Sequence, residues 1–365
     1  MVFASVLAAG AATGSWAEDG RRAMRLLAGD ETAALRDADE PAPRQDGGEL
    51  EAQELVSRSG DRWSSAYSAG EYEGVRQGLD GEYVGVGLWI VRARGGRIEV
   101  ARVQRSGPAD RAGVRAGDRL RTIDGFPVTG VPVTEVVTRL RADRTGTAAV
   151  GSAVRLGLQR PGRGRWLQTL HRERLTLQPV TLTSGRGPAV IKVDAFTRGS
   201  GERVRAAARE AAGAGIVLDL RGNPGGLVTE AVGAASAFLD DGVVATYDLK
   251  GAQHALYADP GGDTATPLVV LVDGGTMSAA ELLTGALQDR GRAVVVGSRT
   301  FGKGTVQLPR SMPDGSVAEL TVGQYRTPSG KSLEGHGVDP DLQVPGAKDA
   351  EAEARRVLGG LGAGV

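Results

Sequence analysis

Ser278 and Lys303 are the residues of this sequence whose types and spacing best fit nucleophilic catalysis. Ser278 comes shortly after the apolar run Leu268–Val272 and opens a helical pattern, so its hydroxyl should be presented where a strand meets a helix. Lys303 follows in a glycine-rich turn. A buried lysine can be neutral and act as a base, which an arginine cannot do. This pair predicts a serine nucleophile activated by a lysine.

Composition excludes several other kinds of chemistry. The chain has 365 residues with 44 basic and 44 acidic side chains, a balance that argues against nucleic-acid binding. It has no cysteine, so disulfides, thiol nucleophiles and cysteine-zinc sites are absent. The three histidines, His171, His254 and His336, lie in separate parts of the sequence, which argues against a multi-histidine metal site. We therefore expect neither a metal nor a small-molecule cofactor.

Both candidate residues also have ordinary explanations. Ser278-x-x-Glu281 is a capping box, which a helix can use without any catalysis. Lys303 could be a surface lysine in a glycine turn. The segment 297–304 is close to a phosphate-binding loop, but Gly304 stands where Ser or Thr should hold magnesium and the next residues predict a strand. Nucleotide binding is therefore rejected.

The segment Asp219–Gly226 predicts a loop of backbone N–H donors. It follows the buried run Ile216–Leu220 and precedes a helical pattern at Val228–Phe238, and its glycines permit close approach of the backbone to a ligand. Donors placed in this way can stabilise an oxyanion, although the segment could also be a simple connection between strand and helix.

The organisation of the chain predicts two folded domains. Residues 81–162 contain short β-type runs and one amphipathic helix, Val133–Arg141, which indicates a small β-rich domain. From about residue 188, strands alternate with helices, as in an α/β domain with a mostly parallel sheet. Sites in such sheets lie beyond the carboxyl ends of the strands, which is where Ser278 and the Asp219–Gly226 loop fall.

The two ends of the chain are less informative. Residues 1–17 resemble a secretory signal, although no Lys or Arg precedes the apolar run and an N-terminal helix is the alternative. Residues 18–80 predict mostly helix, and residues 346–365 predict a helix and a loose tail. No segment is long and apolar enough to predict a membrane span.

Several motifs together resemble the carboxyl-terminal processing (tail-specific) serine protease family. They are Asp61–Tyr72 with Gly81–Gly87, Asp219–Gly226, Gly275–Asp289, Thr300–Gln307 and Glu334–Asp341. The resemblance covers about residues 55–345. It implies an α/β protease core over 163–345, with a ClpP/crotonase-like sheet and helices, and an inserted PDZ-like domain over 81–162 behind a helical N-terminal segment.

The resemblance also assigns residue roles. It implies that Ser278 is the nucleophile, Lys303 its general base, and Gln307 the residue that orients the lysine amine. The N–H groups of Ala279 and of Gly225, or of the glycine after it, would form the oxyanion hole. The sequence departs from the family's usual small residues at Thr276 and Met277, and from its serine at Ala280, so the pocket beside the nucleophile is expected to differ.

A PDZ-like domain binds an extended C-terminus as an added strand and holds its carboxylate with loop amides. The residues that resemble this loop are Tyr83, Val84, Gly85, Val86, Gly87 and Leu88. Val136 and Leu140 on the 133–141 helix would form the other wall of the groove, although they could instead face the core.

We therefore expect an extracytoplasmic serine endopeptidase, secreted, periplasmic-type or membrane-associated, that acts on protein or peptide substrates with free C-termini. The sequence leaves its oligomeric state open. Two alternatives come from other classes. One is a tail-binding adaptor whose α/β part is only structural, and the other is a thioester hydratase that uses an amide oxyanion hole and makes no use of Ser278.

Overall fold

The computed structural model describes residues 47–141, 149–185, 187–211, 215–249 and 252–362. The signal expected at residues 1–17 lies outside them. In these ranges the α-helices are α1 (Gly48–Ser59), α2 (Ala69–Leu79), α3 (Pro108–Arg111), α4 (Val133–Arg141), α5 (Ser200–Glu210), α6 (Val228–Ala235), α7 (Ala279–Asp289) and α8 (Ala347–Gly362), and Arg94–Gly96 forms a 3-10 turn. No helix of the described ranges is long and apolar enough to cross a membrane.

The strands up to residue 177 are β1 (Ser65–Tyr67), β2 (Glu82–Gly85), β3 (Leu88–Arg92), β4 (Ile98–Val103), β5 (Arg119–Ile123), β6 (Phe126–Pro127), β7 (Ala153–Arg160), β8 (Gly164–His171) and β9 (Glu173–Thr176). The later strands are β10 (Val180–Thr183), β11 (Ala189–Val193), β12 (Ile216–Asp219), β13 (Val243–Leu249), β14 (Ala252–Tyr257), β15 (Leu268–Val272), β16 (Val294–Gly297), β17 (Thr305–Ser311), β18 (Val317–Arg326) and β19 (Leu342–Gln343).

The chain divides into two compact units. Residues 81–177 form one of them, and the described residues before 81 and after 177 form the other. The sequence placed the boundary at 162, and this was wrong. Gly162, with positive φ, lies in the turn that joins β7 to β8, and Gly164 is the first residue of β8, so β8 and β9 remain in the first unit.

The 81–177 unit contains a sheet in the order β3-β4-β5-β7-β8, with β6 on β5, and a ribbon of β2 and β9. Helix α4 has the bounds that its apolar spacing predicts, and Val136 lies in the core with the inward residues of β4, β5 and β7. The chain turns at Gly87 (φ +77°), and this turn separates β2 from β3.

The second unit is built on a six-stranded sheet in the order β10-β11-β12-β15-β16-β19. Its neighbours pair in parallel except β10 and β11. Every residue of Leu268–Val272 is buried, because apolar side chains cover both faces of the sheet. The predicted α/β architecture is confirmed.

Helices α5, α6 and α7 pack on one face of this sheet and α8 on the other. Helix α8 buries Ala350, Ala354 and Leu358 against the sheet, so the C-terminal helix is part of the core and not a tail. The helix predicted to reach Phe238 ends at Ala235, and the chain continues as a turn.

A second sheet in this unit was not predicted. It has the order β1-β18-β13-β14, with β17 also paired to β18. Strand β1 lies in the segment expected to be mostly helical, and it pairs Ser65 with Glu319. This pairing brings the residues around 61–67 beside the turn that carries Lys303.

Candidate active site

Ser278 occupies a strained turn between β15 and α7. Its backbone has φ 55° and ψ −118°, a region that non-glycine residues rarely adopt. Its side chain is almost buried, at 5% exposure, and its Oγ has no hydrogen-bond partner among the described residues. The Ser278 N–H donates to Glu281 Oε2 at 2.8 Å, which is one half of a capping box. Capping therefore explains the backbone contact but not the hydroxyl.

Lys303 lies in the turn that leads into β17 and is only 3% exposed. Its Nζ makes no hydrogen bond or ion pair within the described ranges and lies 5.2 Å from the centre of the Trp63 ring. Burial lowers the pKa of the Lys303 amine. The carboxylates of Glu319, Glu334 and Asp61 oppose this shift. Lys303 is therefore not a surface lysine, and its environment favours the neutral amine.

Glu281 joins the serine and lysine turns. Its Oε2 accepts from the N–H of Ser278 at 2.8 Å and from the N–H of Lys303 at 2.9 Å. Its Oε1 accepts from the N–H of Gly302 at 2.7 Å and from the hydroxyl of Thr300 at 2.5 Å. Because one oxygen binds both backbones, the two turns are held side by side. The sequence identified Glu281 only as a helix cap.

Gln307 lies on β17 beside this turn. Its Nε2 donates to Thr305 Oγ1 at 2.6 Å and to Thr321 Oγ1 at 3.2 Å, while its Oε1 is buried with no partner in the described part of the chain. The expected contact with Lys303 is not formed here. The free Oε1 is nevertheless an acceptor that a lysine N–H could use.

The predicted oxyanion donors lie close to Ser278. A Cβ placed on Gly225 would be 3.0 Å from Ser278 Cβ and 3.1 Å from the Ala279 nitrogen, and Gly225 has φ +97°. The Ala279 N–H has no acceptor among the described residues. The Gly225 N–H, however, donates to Asn223 Oδ1 at 2.8 Å. One of the two predicted donors is thus free and the other is occupied by a side chain.

Cross-links hold the amide loop against the serine turn. The Met277 N–H donates to the Asn223 carbonyl at 2.9 Å, and Thr276 Oγ1 donates to the Leu220 carbonyl at 2.9 Å. Asp273 Oδ1 accepts from the N–H of Gly222 at 2.8 Å. The hydroxyl of Thr276 therefore ties the serine turn to the residue that follows β12.

The segment 61–67 packs against the lysine turn, although sequence analysis assigns it no part in catalysis. The Trp63 indole N–H donates to Glu334 Oε1 at 2.8 Å, and Glu334 Oε2 accepts from the N–H of Gly304 at 2.9 Å. This places the Trp63 ring over the amine of Lys303. The motifs that contain Trp63 and Glu334 are far apart in sequence, so their contact could be found only in three dimensions.

Asp61 fixes the start of this segment. Its Oδ1 accepts from the Trp63 N–H at 2.7 Å and from Thr321 Oγ1 at 2.9 Å. Desolvation raises the pKa of Asp61, but hydrogen bonds from Ser64, Trp63 and Thr321 outweigh it and lower the pKa to about 2. Asp61 is thus a carboxylate at neutral pH that ties the segment to β18.

The resembling PDZ loop is found in the 81–177 unit. Tyr83, Val84 and Gly85 lie in β2, Val86 and Gly87 form the turn, and Leu88 begins β3. The Val86 and Gly87 carbonyls accept from the N–H groups of Ala109 at 3.0 Å and Gln104 at 2.9 Å. These bonds fix the shape of the turn.

The predicted helix wall of the groove needs correction. Val136 is 0% exposed and Leu140 5% exposed, and both belong to the core of the unit, because their side of α4 faces the sheet. Leu88 and Ile90 on β3 and Val133 at the start of α4 are half-buried instead. Strand β3 is the edge of its sheet, with β4 as its neighbour, so its outer edge can accept an added strand.

Comparison with known proteins identifies the family. A model of peptidase family S41 matches residues 188–344, and a PDZ domain model matches residues 99–147. The carboxyl-terminal-processing protease of Picosynechococcus sp. (strain ATCC 27264 / PCC 7002 / PR-6) is 33% identical over 303 residues, which are 80% of this chain and 72% of that protein. The chain belongs to peptidase family S41. The resemblance based on sequence motifs is confirmed.

Other S41 relatives agree. The chloroplastic C-terminal processing peptidase of Tetradesmus obliquus is 37% identical over 293 residues, 74% of this chain and 62% of that protein. A solved structure of a photosystem II D1 C-terminal processing protease has 31% identity and a TM-score of 0.52, covering 88% of each chain. The chain spans about three fifths of the length of several curated relatives that it matches.

A metal-dependent site is not indicated by the residues present. In the described ranges, no group of three or more His, Asp or Glu side chains is arranged to bind a metal ion. The turns of Ser278 and Lys303, joined by Glu281, instead bring with them a buried amine, the buried amide of Gln307 and backbone N–H groups. This arrangement is suited to acyl transfer through a covalent intermediate.

Proposed function

We propose that this protein is an extracytoplasmic serine endopeptidase that binds protein C-termini through its 81–177 unit and cleaves peptide bonds with Ser278 and Lys303. The observation that carries the proposal is the strained, unpaired hydroxyl of Ser278, whose turn shares an oxygen of Glu281 with the turn of the buried Lys303. A helix cap needs neither the strain nor the buried lysine.

In the first half of the reaction, the neutral Lys303 amine removes the proton of the Ser278 hydroxyl while Oγ bonds to the substrate carbonyl carbon. The negative charge that develops on the carbonyl oxygen is stabilised by the N–H of Ala279. Collapse of the tetrahedral intermediate breaks the C–N bond. The Lys303 ammonium returns its proton to the leaving amine, and an acyl-enzyme remains.

In the second half, Lys303 takes a proton from water, and the hydroxide oxygen bonds to the acyl carbon. The Ser278 ester bond then breaks, and the proton returns from Lys303 to Ser278 Oγ. The free Oε1 of Gln307 is suited to accept an N–H of Lys303 and so to direct its lone pair toward the hydroxyl. The N–H of Gly225 would become a second oxyanion donor if it exchanged Asn223 Oδ1 for the substrate oxygen.

Recognition of the substrate is assigned to β3. Its open edge can pair with an extended tail, while the half-buried Leu88 and Ile90 can contact apolar tail side chains. The membership of the chain in a family with C-terminal processing peptidases supports this assignment.

A serine-reactive fluorophosphonate tests the nucleophile without knowledge of the substrate. We expect the purified protein to become labelled on the peptide that contains Ser278, as read by mass spectrometry. Lys303→Arg should abolish labelling and cleavage of an unstructured peptide, whereas Lys331→Arg, at an exposed lysine paired with Asp289, should retain both. Full cleavage by Lys303→Arg would overturn the mechanism. Tail binding with no labelling and no cleavage would favour the adaptor.

A further inference from the structure

Glu319 is a buried carboxyl group that the reaction described above does not use. It is the third residue of β18 and is only 3% exposed. Its Oε2 accepts from the Tyr67 hydroxyl at 3.5 Å, and its Oε1 is buried with no hydrogen-bond partner in the described part of the chain. No cation lies within ion-pair distance of it among these residues. An unpaired buried carboxylate is costly, so its place in the core needs an explanation.

The register of the sheet directs Glu319 toward the lysine site. Glu319 is two residues from Thr321 and therefore shares its face of β18. Thr321 Oγ1 contacts Gln307 Nε2 at 3.2 Å and Asp61 Oδ1 at 2.9 Å. Glu319 thus belongs to the same cluster of polar side chains as Gln307, next to the turn of Lys303.

Lys303 is the cation whose charge acts on Glu319. The carboxylate of Glu319 is the largest opposing influence on the amine of Lys303, and the amine is in turn the largest opposing influence on the carboxyl. Arg310 on β17 lies opposite Ala318 in register, so its side chain leaves the sheet on the other face. Lys303 and Glu319 therefore form an interacting buried pair without a direct ion pair, and the described residues of β17 and β18 place no second cation on this face.

Among the described residues, the other charged groups near the pair are acidic or phenolic except Arg62, which is paired with Glu334 at 3.0 Å and lies 4.4 Å from the centre of the Trp63 ring. Tyr67 on β1 donates to Glu319, and Glu71 on α2 acts on Tyr67. Asp61 and Glu334 act on Lys303 from the 61–67 side and from the turn after β18. They add to the negative potential at the amine, but both are engaged in hydrogen bonds to backbone N–H groups. Glu319 is the member of this set with an unengaged oxygen.

We propose that the Glu319 carboxylate controls the charge state of the Lys303 amine and is thereby a positioning residue for the proton in the reaction, an inference that rests on the proposed role of Lys303 as base. When Glu319 is ionised, it stabilises the ammonium and withholds the lone pair that Ser278 needs. When Glu319 carries the proton, the same pair holds a neutral amine.

The direction of the titration supports this inference. Burial raises the pKa of Glu319 to about 7, with Lys303 and Tyr67 acting against the shift, while burial lowers that of Lys303. The two groups therefore approach each other in proton affinity and should lose their protons as a coupled pair. Removing the negative charge of Glu319 should make Lys303 easier to deprotonate.

The chain is well suited to a direct test, because it has only five lysines. They are Lys192, Lys250, Lys303, Lys331 and Lys348. Protein labelled with 13C at the lysine ε-carbon should give five NMR signals, and the signal missing in Lys303→Arg identifies Lys303. Its chemical shift followed against pH reports the charge of the amine whether or not Ser278 is a nucleophile.

We expect Glu319→Gln to lower the measured pKa of Lys303 by about 1, since a neighbouring opposite charge favours the charged form of the amine and shifts its pKa by ~1–3. Glu319→Asp keeps the charge and should stay near wild type. In the wild-type protein, the Lys303 signal should titrate in two steps, one of which is lost in Glu319→Gln. This second readout needs no variant beyond the one that identifies the signal. An unchanged, single-step titration of Lys303 in wild type and Glu319→Gln would overturn the proposal.

The pH dependence of kcat/KM for peptide cleavage connects the pair to the reaction. Its acid limb reports the base in the free enzyme, so Glu319→Gln should move that limb to lower pH by the same amount as the NMR titration. A purely structural role would lower activity at every pH without moving the limb. If Glu319→Gln changes the pKa of Lys303 but Ser278 is never acylated, the proposed function is wrong and the interaction between Glu319 and Lys303 stands. If acylation occurs without the shift, the pairing fails.

Discussion

Replacing Glu281 with glutamine should strongly destabilise the second unit, although the two side chains have nearly the same shape. The carboxylate accepts four hydrogen bonds, two at each oxygen. Glutamine keeps one oxygen. If that oxygen faces the N–H groups of Ser278 and Lys303, the new NH2 faces the N–H of Gly302 and the hydroxyl of Thr300.

The Thr300 oxygen accepts from the Val338 N–H at 2.7 Å and could accept from the new NH2 with its second lone pair, but its own O–H would then have lost its acceptor. Two hydrogen bonds to a charged acceptor are therefore lost. At ~1.5–3 kcal/mol each, the cost is about 3–6 kcal/mol, a large part of the ~5–15 kcal/mol that stabilises a typical domain. Loss of the bonds to Gly302 and Thr300 should also loosen the turn that carries Lys303, so fluorophosphonate labelling of Ser278 should fall.

Glu71→Gln provides a matched control. Glu71 forms the same capping contact with the N–H of Ser68, at 2.9 Å, but it is exposed, and water can replace it at a cost of at most about 1 kcal/mol. Urea unfolding followed by far-UV circular dichroism, together with the rate of labelling, compares the two variants. Equal stability of Glu281→Gln and Glu71→Gln would refute the argument that Glu281 holds the site together.

Three further results are expected. Gly225→Ala should reduce kcat/KM by ~100-fold or more, because the new Cβ would lie 2.9 Å from the Met277 carbonyl oxygen and Gly225 has φ +97°. Gly274→Ala, where a Cβ meets open space, should keep kcat/KM near the wild-type value. Similar losses of kcat/KM in both variants would contradict the close contact at Gly225. Asp61, whose pKa is lowered to about 2 in the folded protein from 3.8, contributes stability above pH ~4 that is lost as the pH falls toward ~2. Asp61→Asn should remove this pH-dependent part of the stability, which is of order 1 kcal/mol after solvent screening and can be followed by thermal melts at different pH values. If the variant loses stability in acid in the same way as wild type, Asp61 is not the group responsible. Leu88→Asp should weaken the binding of an apolar C-terminal peptide at least ~10-fold, which corresponds to ~1.4 kcal/mol of binding free energy and can be measured by fluorescence anisotropy. Leu167→Asp, at an exposed leucine of β8, should leave the affinity unchanged. Equal affinities of the two variants would show that the tail binds elsewhere.

Local patterns in the sequence predicted the parts of the fold that depend on local chemistry. The apolar spacing of Val133–Arg141 gave the bounds of α4, and the apolar run 268–272 gave a buried strand that ends just before the Ser278 turn. Both signals come from residues that are close together in sequence, so they can be recognised without knowing which surface the helix or strand packs against. The same helical spacing could not say which side of α4 is open, and so Val136 and Leu140 were assigned to the groove as well as to the core.

Long-range pairing is what the sequence could not supply. Strand β1 meets β18 through Ser65 and Glu319, which are more than 250 residues apart, and three residues of β1 carry too short a pattern to predict a strand. Without that pairing there is no reason to place Trp63 over the amine of Lys303. The contribution of the indole ring to the burial of Lys303 therefore cannot be predicted from the residues near the lysine in sequence.

Glu281 and Glu319 show why sequence motifs alone underestimate this site. The local sequence offers a sufficient explanation for each residue: Glu281 can be a helix cap, and Glu319 can be an ordinary polar residue of a strand. Their chemistry arises only when distant backbone or side-chain groups enter the same buried volume, because burial is what makes a carboxylate select its partners. Glu281 has a donor for each oxygen and therefore acts as a fixed connection between turns. Glu319 has one oxygen without a hydrogen-bond partner in the described part of the chain, and its charge interacts with that of the buried Lys303 amine, so Glu319 can gain or lose a proton. This difference in hydrogen bonding makes Glu281 a structural group and allows Glu319 to change the proton affinity of the base.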